Sequence, residues 1–327
     1  MNILHPLIKE PDSFIINSLL EKENNLSFTF KKRFYYSFLR PYLPIKARQI
    51  LQNRYNANVK LKENFIDEEL VSYIKQNSNF DEEKKRLYPK GYTSAVILTH
   101  DVEEQDGFNF IPRVIELEEK FNIKSSWNIV PYKYKIDDGI IKEINDSGHE
   151  IGIHGYNHDG RLYYSKEIFE HRAKLINEAI REYNASGFRS PQVHRNLEWL
   201  QKLDVEYDSS CFDYDPYQPF PGGTGSIWPF LAGKFVELPY TLPQDHTLFY
   251  VLKVDNINIW KNKINWLIKN NGIILVIVHP DYLVERNHFI KYEALLKYLR
   301  DLDNMWYCLP KEITKWFREK FEISFIK

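Results

Sequence analysis

Short apolar runs that stop at a chemically active residue recur along this chain, separated by segments with helical spacing. Ala95-Val96-Ile97-Leu98 leads into Thr99-His100-Asp101-Val102-Glu103, Glu150-Ile151-Gly152-Ile153 into His154, and Ile273-Ile274-Leu275-Val276-Ile277-Val278 into His279. The pattern predicts strands at Ala95–Thr99, Ser125–Val130, Glu150–His154, Phe235–Leu238 and Ile273–Val278. It predicts helices at Ile111–Phe121, Gly139–Ser147, Lys166–Tyr183, Ile257–Asn270 and Lys291–Asp301. Apolar strands alternating with amphipathic helices imply an α/β fold around a mostly parallel sheet, either open or closed into a barrel. In both architectures functional groups collect at the carboxyl ends of the strands. Asp101, His154, Arg189 and His279 all fall just after strand-like runs, which predicts one shared site.

Composition narrows the class. A chain of 327 residues with 43% hydrophobic content can bury a sizeable core. Its net charge of −1 provides no whole-chain field for nucleic acid. Cys211 and Cys308 cannot build a disulfide framework and match no CxxC pattern, so a reducing compartment is expected. The start, Met1-Asn2-Ile3-Leu4-His5-Pro6, lacks the blocks of a signal peptide. No segment reaches the roughly 18 apolar residues of a membrane span. A soluble, cytoplasmic protein is the expectation.

Residues 1–90 differ from residues 91–327 and read as a mainly helical N-terminal extension. From Ser27 to Lys62 every charge is basic, interleaved with Phe34, Tyr35, Tyr36, Phe38 and Tyr42, and acidic residues follow from Glu63 to Glu83. The stretch at 31–54 could contact an anionic membrane or a polyanionic substrate. The commoner arrangement packs such aromatics on the main domain and leaves the charges in water.

His154 and His158 are four apart, so a turn or helix could aim both imidazoles at one metal ion. Asp101 and Glu103, two apart in an extended segment, project to the same side. One could bind the metal and the other accept a proton from water. Two histidines and a carboxylate leave coordination positions open, as catalysis requires. His100 faces the opposite way and reads as a packing residue.

These residues resemble the polysaccharide deacetylases of the NodB-homology type, carbohydrate esterase family 4. Thr99-His100-Asp101-Val102-Glu103 resembles the first family motif, Thr-Phe-Asp-Asp-Gly. His154-Gly155-Tyr156-Asn157-His158 is similar to the metal-binding His-Ser/Thr-x-x-His, and Arg189-Ser190-Pro191 to Arg-x-Pro. Asp208 through Asp213-Tyr214 resembles Asp-x-x-x-x-Asp-Trp, and Leu275 through His279 resembles Leu-x-Ile-x-His. Departures stand beside the matches. Val102 occupies the position of the second aspartate, Gln192-Val193 replaces the glycine after Arg-x-Pro, and Tyr214 replaces tryptophan. Residues 237–246, ending in Asp245-His246, resemble a divergent branch.

The resemblance implies a distorted (β/α)7 barrel and a divalent metal, most plausibly zinc, held by Glu103, His154 and His158, with Asp101 itself an alternative ligand. It implies Asp101 as base, Arg189 as its orienting partner with Asp208 pairing to that arginine, and His279 as general acid. Pro191, a backbone N–H near Tyr156, and Asp245 and His246 would lie on the substrate side. Tyr214, Trp127 and Tyr282 are sugar-stacking candidates. The implied reaction removes an N-acetyl group from an amino sugar of a bacterial surface polysaccharide or its precursor. Two other functions fit the residues. One is a deformylase or amidase acting on a lipid-linked or non-sugar substrate. The other is a degenerate site that binds glycan without cleaving it.

Overall fold

The computed structural model describes residues 1–24 and 26–323, without the side chains of Pro41, Ile45, Lys46, Arg48, Gln49 and Asn53. Its sheet contains β1 (Ile3–Leu4), β2 (Ser94–Val102), β3 (Ser125–Ile129), β4 (Glu150–Ile153) and β5 (Gly187–Phe188). It continues with β6 (Tyr207–Asp208), β7 (Phe230–Ala232), β8 (Phe235–Glu237), β9 (Ile274–Val278) and β10 (Met305–Tyr307). The path β9-β2-β3-β4-β5-β6-β8 is parallel throughout. It supplies the barrel wall expected from the alternating runs. β10 adds in parallel to the start of β2, while β7 and β1 extend the far end antiparallel. The wall curls back on itself: beyond β8, the N–H groups of Thr241 and Leu242 both donate to the Leu275 carbonyl in β9, at 3.1 Å.

Every residue of β2 and β9 is buried, as a parallel sheet covered on both sides demands. The helices Gln105–Lys120, Asp138–Asp146 and Lys166–Glu182 connect successive strands, and the first buries the stripe Ile111, Val114, Ile115 and Leu117. Several boundaries differ from the pattern-based expectation, the helix expected from Lys291 starting at Arg286. β2 runs on to Val102, because the polar residues after its apolar run stay in register with β3, Asp101 opposite Asn128. Asp101 is therefore inside the strand, not in the loop after it. The helix expected at Ile111 starts at Gln105 and carries Pro112 within it. Its first turn is held against the chain after β9, where Asp281 lies 2.4 Å from the position a Cβ would take at Gly107.

Residues before β2 form short helices that share one apolar core with the barrel, through Ile15, Leu19, Phe65, Leu70 and Ile74. Glu21 and Arg195 form a buried bidentate ion pair that ties this segment to the barrel. No helix among the described residues is long and apolar enough to cross a membrane.

Candidate active site

Alternation along β2 puts Thr99 and Asp101 on one face, and Glu103 continues that face beyond the strand. Asp101 accepts hydrogen bonds from Arg189 Nη1 and from Asn128 Nδ2, both at 2.9 Å. The guanidinium is fully buried and spends its other donors on Thr99 Oγ1 (2.8 Å), the Ser209 carbonyl (2.8 Å) and Ser209 Oγ (2.7 Å). Such a fork fixes both position and charge. Burial pushes the Asp101 carboxyl up, but Arg189, His154 and His279 outweigh it and hold the pKa at about 2. Asp101 is therefore an ionised carboxylate at neutral pH.

Glu103, His154 and His158 converge, with one donor atom from each lying within 4.8 Å of the others. Glu103 Oε1 is 2.9 Å from His158 Nε2 and 4.0 Å from His154 Nε2. The Nδ1 of His154 is 3.0 Å from the Arg189 carbonyl, so Nδ1 donates there and Nε2 is the nitrogen turned toward Glu103 and Asp101. That Nε2 is buried and has no hydrogen-bond partner, a costly state for a polar atom unless something else binds it. Burial also lowers the His158 pKa to about 4 despite Glu103, so the His158 ring is neutral at pH 7. Two imidazoles and one carboxylate form a donor set that suits a divalent cation such as zinc. The two histidines are presented by a loop, not a helix. It turns through left-handed backbone at Gly155 (φ 70°) and His158 (φ 58°), and a Cβ at Gly155 would meet Pro191 Cγ at 2.2 Å.

His279 follows β9 on the other side. Its ring Nδ1 is 2.6 Å from Asp245 Oδ1, its backbone N–H donates to Asp245 Oδ2 at 2.7 Å, and its Nε2 is 3.7 Å from Glu103. Burial pulls the imidazole pKa down, yet Asp245, Glu103 and Asp101 raise it to about 10. His279 thus carries a proton at neutral pH and points its free nitrogen into the site. Asp281 accepts from the backbone N–H groups of Glu103 and Glu104, at 2.9 Å each, and so sets the turn that aims Glu103.

Several residues expected at the site are placed differently. Asp208 does not hydrogen-bond Arg189: its carboxyl accepts from Ser210 N and Oγ and lies against Glu237, and burial raises its pKa against the hydrogen bonds from Glu237 and Ser210. Trp127 is fully buried and stacks on His100 at 4.1 Å, so it offers no face to a sugar. Asp245 is fully buried and bonded to His279 and to the His246 N–H, which makes it an orienting carboxylate and not a substrate contact.

Tyr214 turns toward the N-terminal segment, beneath Lys62. Tyr282 packs on His279 (ring centroids 4.8 Å) and on His246 (5.8 Å), and both remain partly exposed. Tyr156 packs on Tyr132 with ring centroids 4.8 Å apart, on the loop that carries His158, and lines one small cleft together with Pro191. Sequence reasoning missed Asn128, Thr99, Ser209 and Asp281, whose roles follow from strand register and loop closure. It also missed Gln192, whose Nε2 is 3.1 Å from both ring nitrogens of His158. The signal for Gln192 was the absent glycine: Gln192 and Val193 both hold left-handed backbone, at φ 53° and 46°.

Residues 90–204 match the family model described as polysaccharide deacetylase. The chain is similar to the peptidoglycan deacetylase of Helicobacter pylori, 20% identical over 247 residues, spanning 64% of this chain and 84% of that one. Its fold is similar to a solved structure from Pseudomonas aeruginosa assigned as a polysaccharide deacetylase (14% identity, TM-score 0.60), covering 71% of this chain and 93% of that one. A second structure so assigned, from Mycobacterium smegmatis, gives 19% identity and a TM-score of 0.57, covering 72% and 93%. Over residues 90–204 by the family model, and by fold over most of its length, the chain is similar to polysaccharide deacetylases.

Proposed function

We propose that this protein hydrolyses the N-acetyl amide of an amino sugar, in a bacterial surface polysaccharide or its precursor, with a divalent cation held by Glu103, His154 and His158. The observation that carries this reading is the flanking of one donor cluster by two oppositely poised groups. Asp101 is an ionised base fixed by Arg189, and His279 is a protonated acid fixed by Asp245. Amide hydrolysis requires both at once, because an amine is a poor leaving group.

Bound at the cluster, a divalent cation would supply Lewis acidity that polarises the amide carbonyl and acidifies water. Asp101 takes the proton from the attacking water while Arg189 and Asn128 keep its carboxylate aimed. His279 gives its proton to the departing nitrogen as the carbon–nitrogen bond breaks, leaving acetate and a free amine. Asp245 holds the imidazole by Nδ1, so Nε2 is the nitrogen that donates. Tyr282 and His246, partly exposed beside His279, would border the bound sugar.

Acetate release from N-acetylated amino-sugar oligomers and from nucleotide sugars tests the reading, with wild type set against Asp101→Asn. Release by wild type and a loss of at least about a hundredfold in the variant is expected, the usual scale for a general base. Equal rates in the two proteins would remove Asp101 from the reaction.

A further inference from the structure

We propose that the helical segment beginning at Phe30 is a docking surface for an anionic lipid bilayer, set directly beside the metal-ligand loop. Three consecutive helical pieces, Phe30–Phe34, Tyr35–Leu39 and Arg40–Tyr42, run without a break. Phe30, Phe34, Phe38 and Tyr42 recur every four residues, and all four are exposed, Phe30 at 83% and Tyr42 at 85%. The Phe34 and Phe38 rings lie 5.5 Å apart, forming a ridge. The next helix, Ile45–Asn56, adds exposed Ile50, Leu51 and Tyr55. Most of the exposed large apolar side chains of the described molecule fall in this short stretch. That is the opposite of the scattered singles normal on a soluble surface.

Charge selects the partner. No acidic residue occurs between Ser27 and Lys62, and Lys31, Arg33 and Arg54 are exposed among the apolar groups. Basic residues mixed with outward aromatics and aliphatics match an interface of anionic headgroups over acyl chains. A soluble polyanion would use the charges but gain nothing from exposed Leu51 or Ile50.

The inner side of the same segment is locked to the site. Tyr36 is buried, packs on Gly160 so closely that a Cβ there would lie 2.5 Å from its ring, and bonds His194 at 3.2 Å. Arg40 Nη1 donates to the carbonyl of His158 at 3.3 Å, and Arg161 Nη2 to that of Ser37 at 3.1 Å. A bilayer on the outer ridge would therefore hold the loop of His158 at a fixed distance from the lipid surface, where a membrane-borne substrate would be presented. Docking itself does not depend on the hydrolytic reading and is measured without turnover.

The test is co-sedimentation of the full chain with vesicles of equal parts phosphatidylcholine and phosphatidylglycerol, and with pure phosphatidylcholine. The wild type is set against Phe30→Ser/Phe34→Ser/Phe38→Ser and Lys31→Glu/Arg54→Glu. These side chains are exposed, so both variants should keep the wild-type melting temperature. Binding is expected on the anionic vesicles, weakened at least about tenfold in either variant and reduced by salt. Equal partitioning of all three proteins, or no binding by wild type, overturns the proposal. Two further outcomes would also overturn it. One is dextran sulfate binding that survives the serine changes while no vesicle binds, which assigns the patch to a polyanion. The other is a light-scattering dimer that the serine changes abolish, which assigns it to a second copy of the chain.

Discussion

Replacing Arg189 with methionine keeps an unbranched buried stem, two atoms shorter, and deletes the charge that holds Asp101. In the native site the Asp101 carboxyl titrates at about 2 instead of 3.8, a difference worth about 2.5 kcal/mol at about 1.4 kcal/mol per pH unit. Deletion should cost more than that, because the carboxylate stays buried with Asn128 as its remaining bonded donor and the Ser209 carbonyl also loses its partner. Breaking a buried pair from one side costs about 3–5 kcal/mol.

The pH dependence carries the sign. A depressed carboxyl stabilises the wild type above pH 3.8 and loses that contribution as pH falls toward 2. In Arg189→Met burial should raise the Asp101 pKa above 3.8, so the variant gains stability as the carboxyl protonates on acidification. The wild-type advantage should therefore be largest near pH 7 and shrink steadily as pH falls through 4. Urea unfolding of chelator-treated protein across that range measures it, with Asp101→Asn as the second arm of a double-mutant cycle. A difference that stays constant with pH, or an Arg189→Met cost unchanged in the Asp101→Asn background, would refute the pairing as the source of the effect.

Asp245→Asn should lower the His279 pKa from about 10 by about 1–2 pH units, the loss of one charge-assisted hydrogen bond. Because the acid must be protonated, the basic limb of the kcat/KM profile should move to lower pH by that amount, and an unmoved limb would exclude Asp245 as its cause. Gly155→Ala puts a methyl 2.2 Å from Pro191 Cγ at a backbone φ of 70°, so a loss of about 1–3 kcal/mol is expected together with weakened metal affinity. Glu21→Ala strands the buried Arg195 and should cost about 3–5 kcal/mol in thermal or urea unfolding while leaving the metal affinity of the folded protein unchanged.

The barrel wall and much of the candidate site could be read from residue order, since apolar runs lead into Asp101 near the end of β2 and into His154 and His279 just after β4 and β9. What stayed hidden depends on register and closure. Asn128 reaches Asp101 only because β3 pairs with β2 in one register, and no local pattern encodes that. Asp245 reaches His279 because the chain beyond β8 closes onto β9, 34 residues later in sequence. Asp281, two residues past His279, lies in no motif and ties down the Glu103 turn through backbone N–H groups far away in sequence. Trp127 shows the limit of composition: an aromatic near a polar motif is as easily the floor of the core as a wall of the site. The ridge at Phe30 shows the converse, because four-residue spacing reveals a helix face without saying whether that face turns inward.

Val102 stands where the family motif has a carboxylate, and its side chain is fully buried, so the central question is whether Glu103 completes the cation site. Titration of zinc into chelator-stripped protein, followed by calorimetry, answers it with wild type, Glu103→Gln and Asp101→Asn side by side. A single site per chain is expected, with affinity reduced at least about tenfold in Glu103→Gln and nearly retained in Asp101→Asn. Loss of binding in Asp101→Asn with none in Glu103→Gln would contradict the assignment and make Asp101 the ligand.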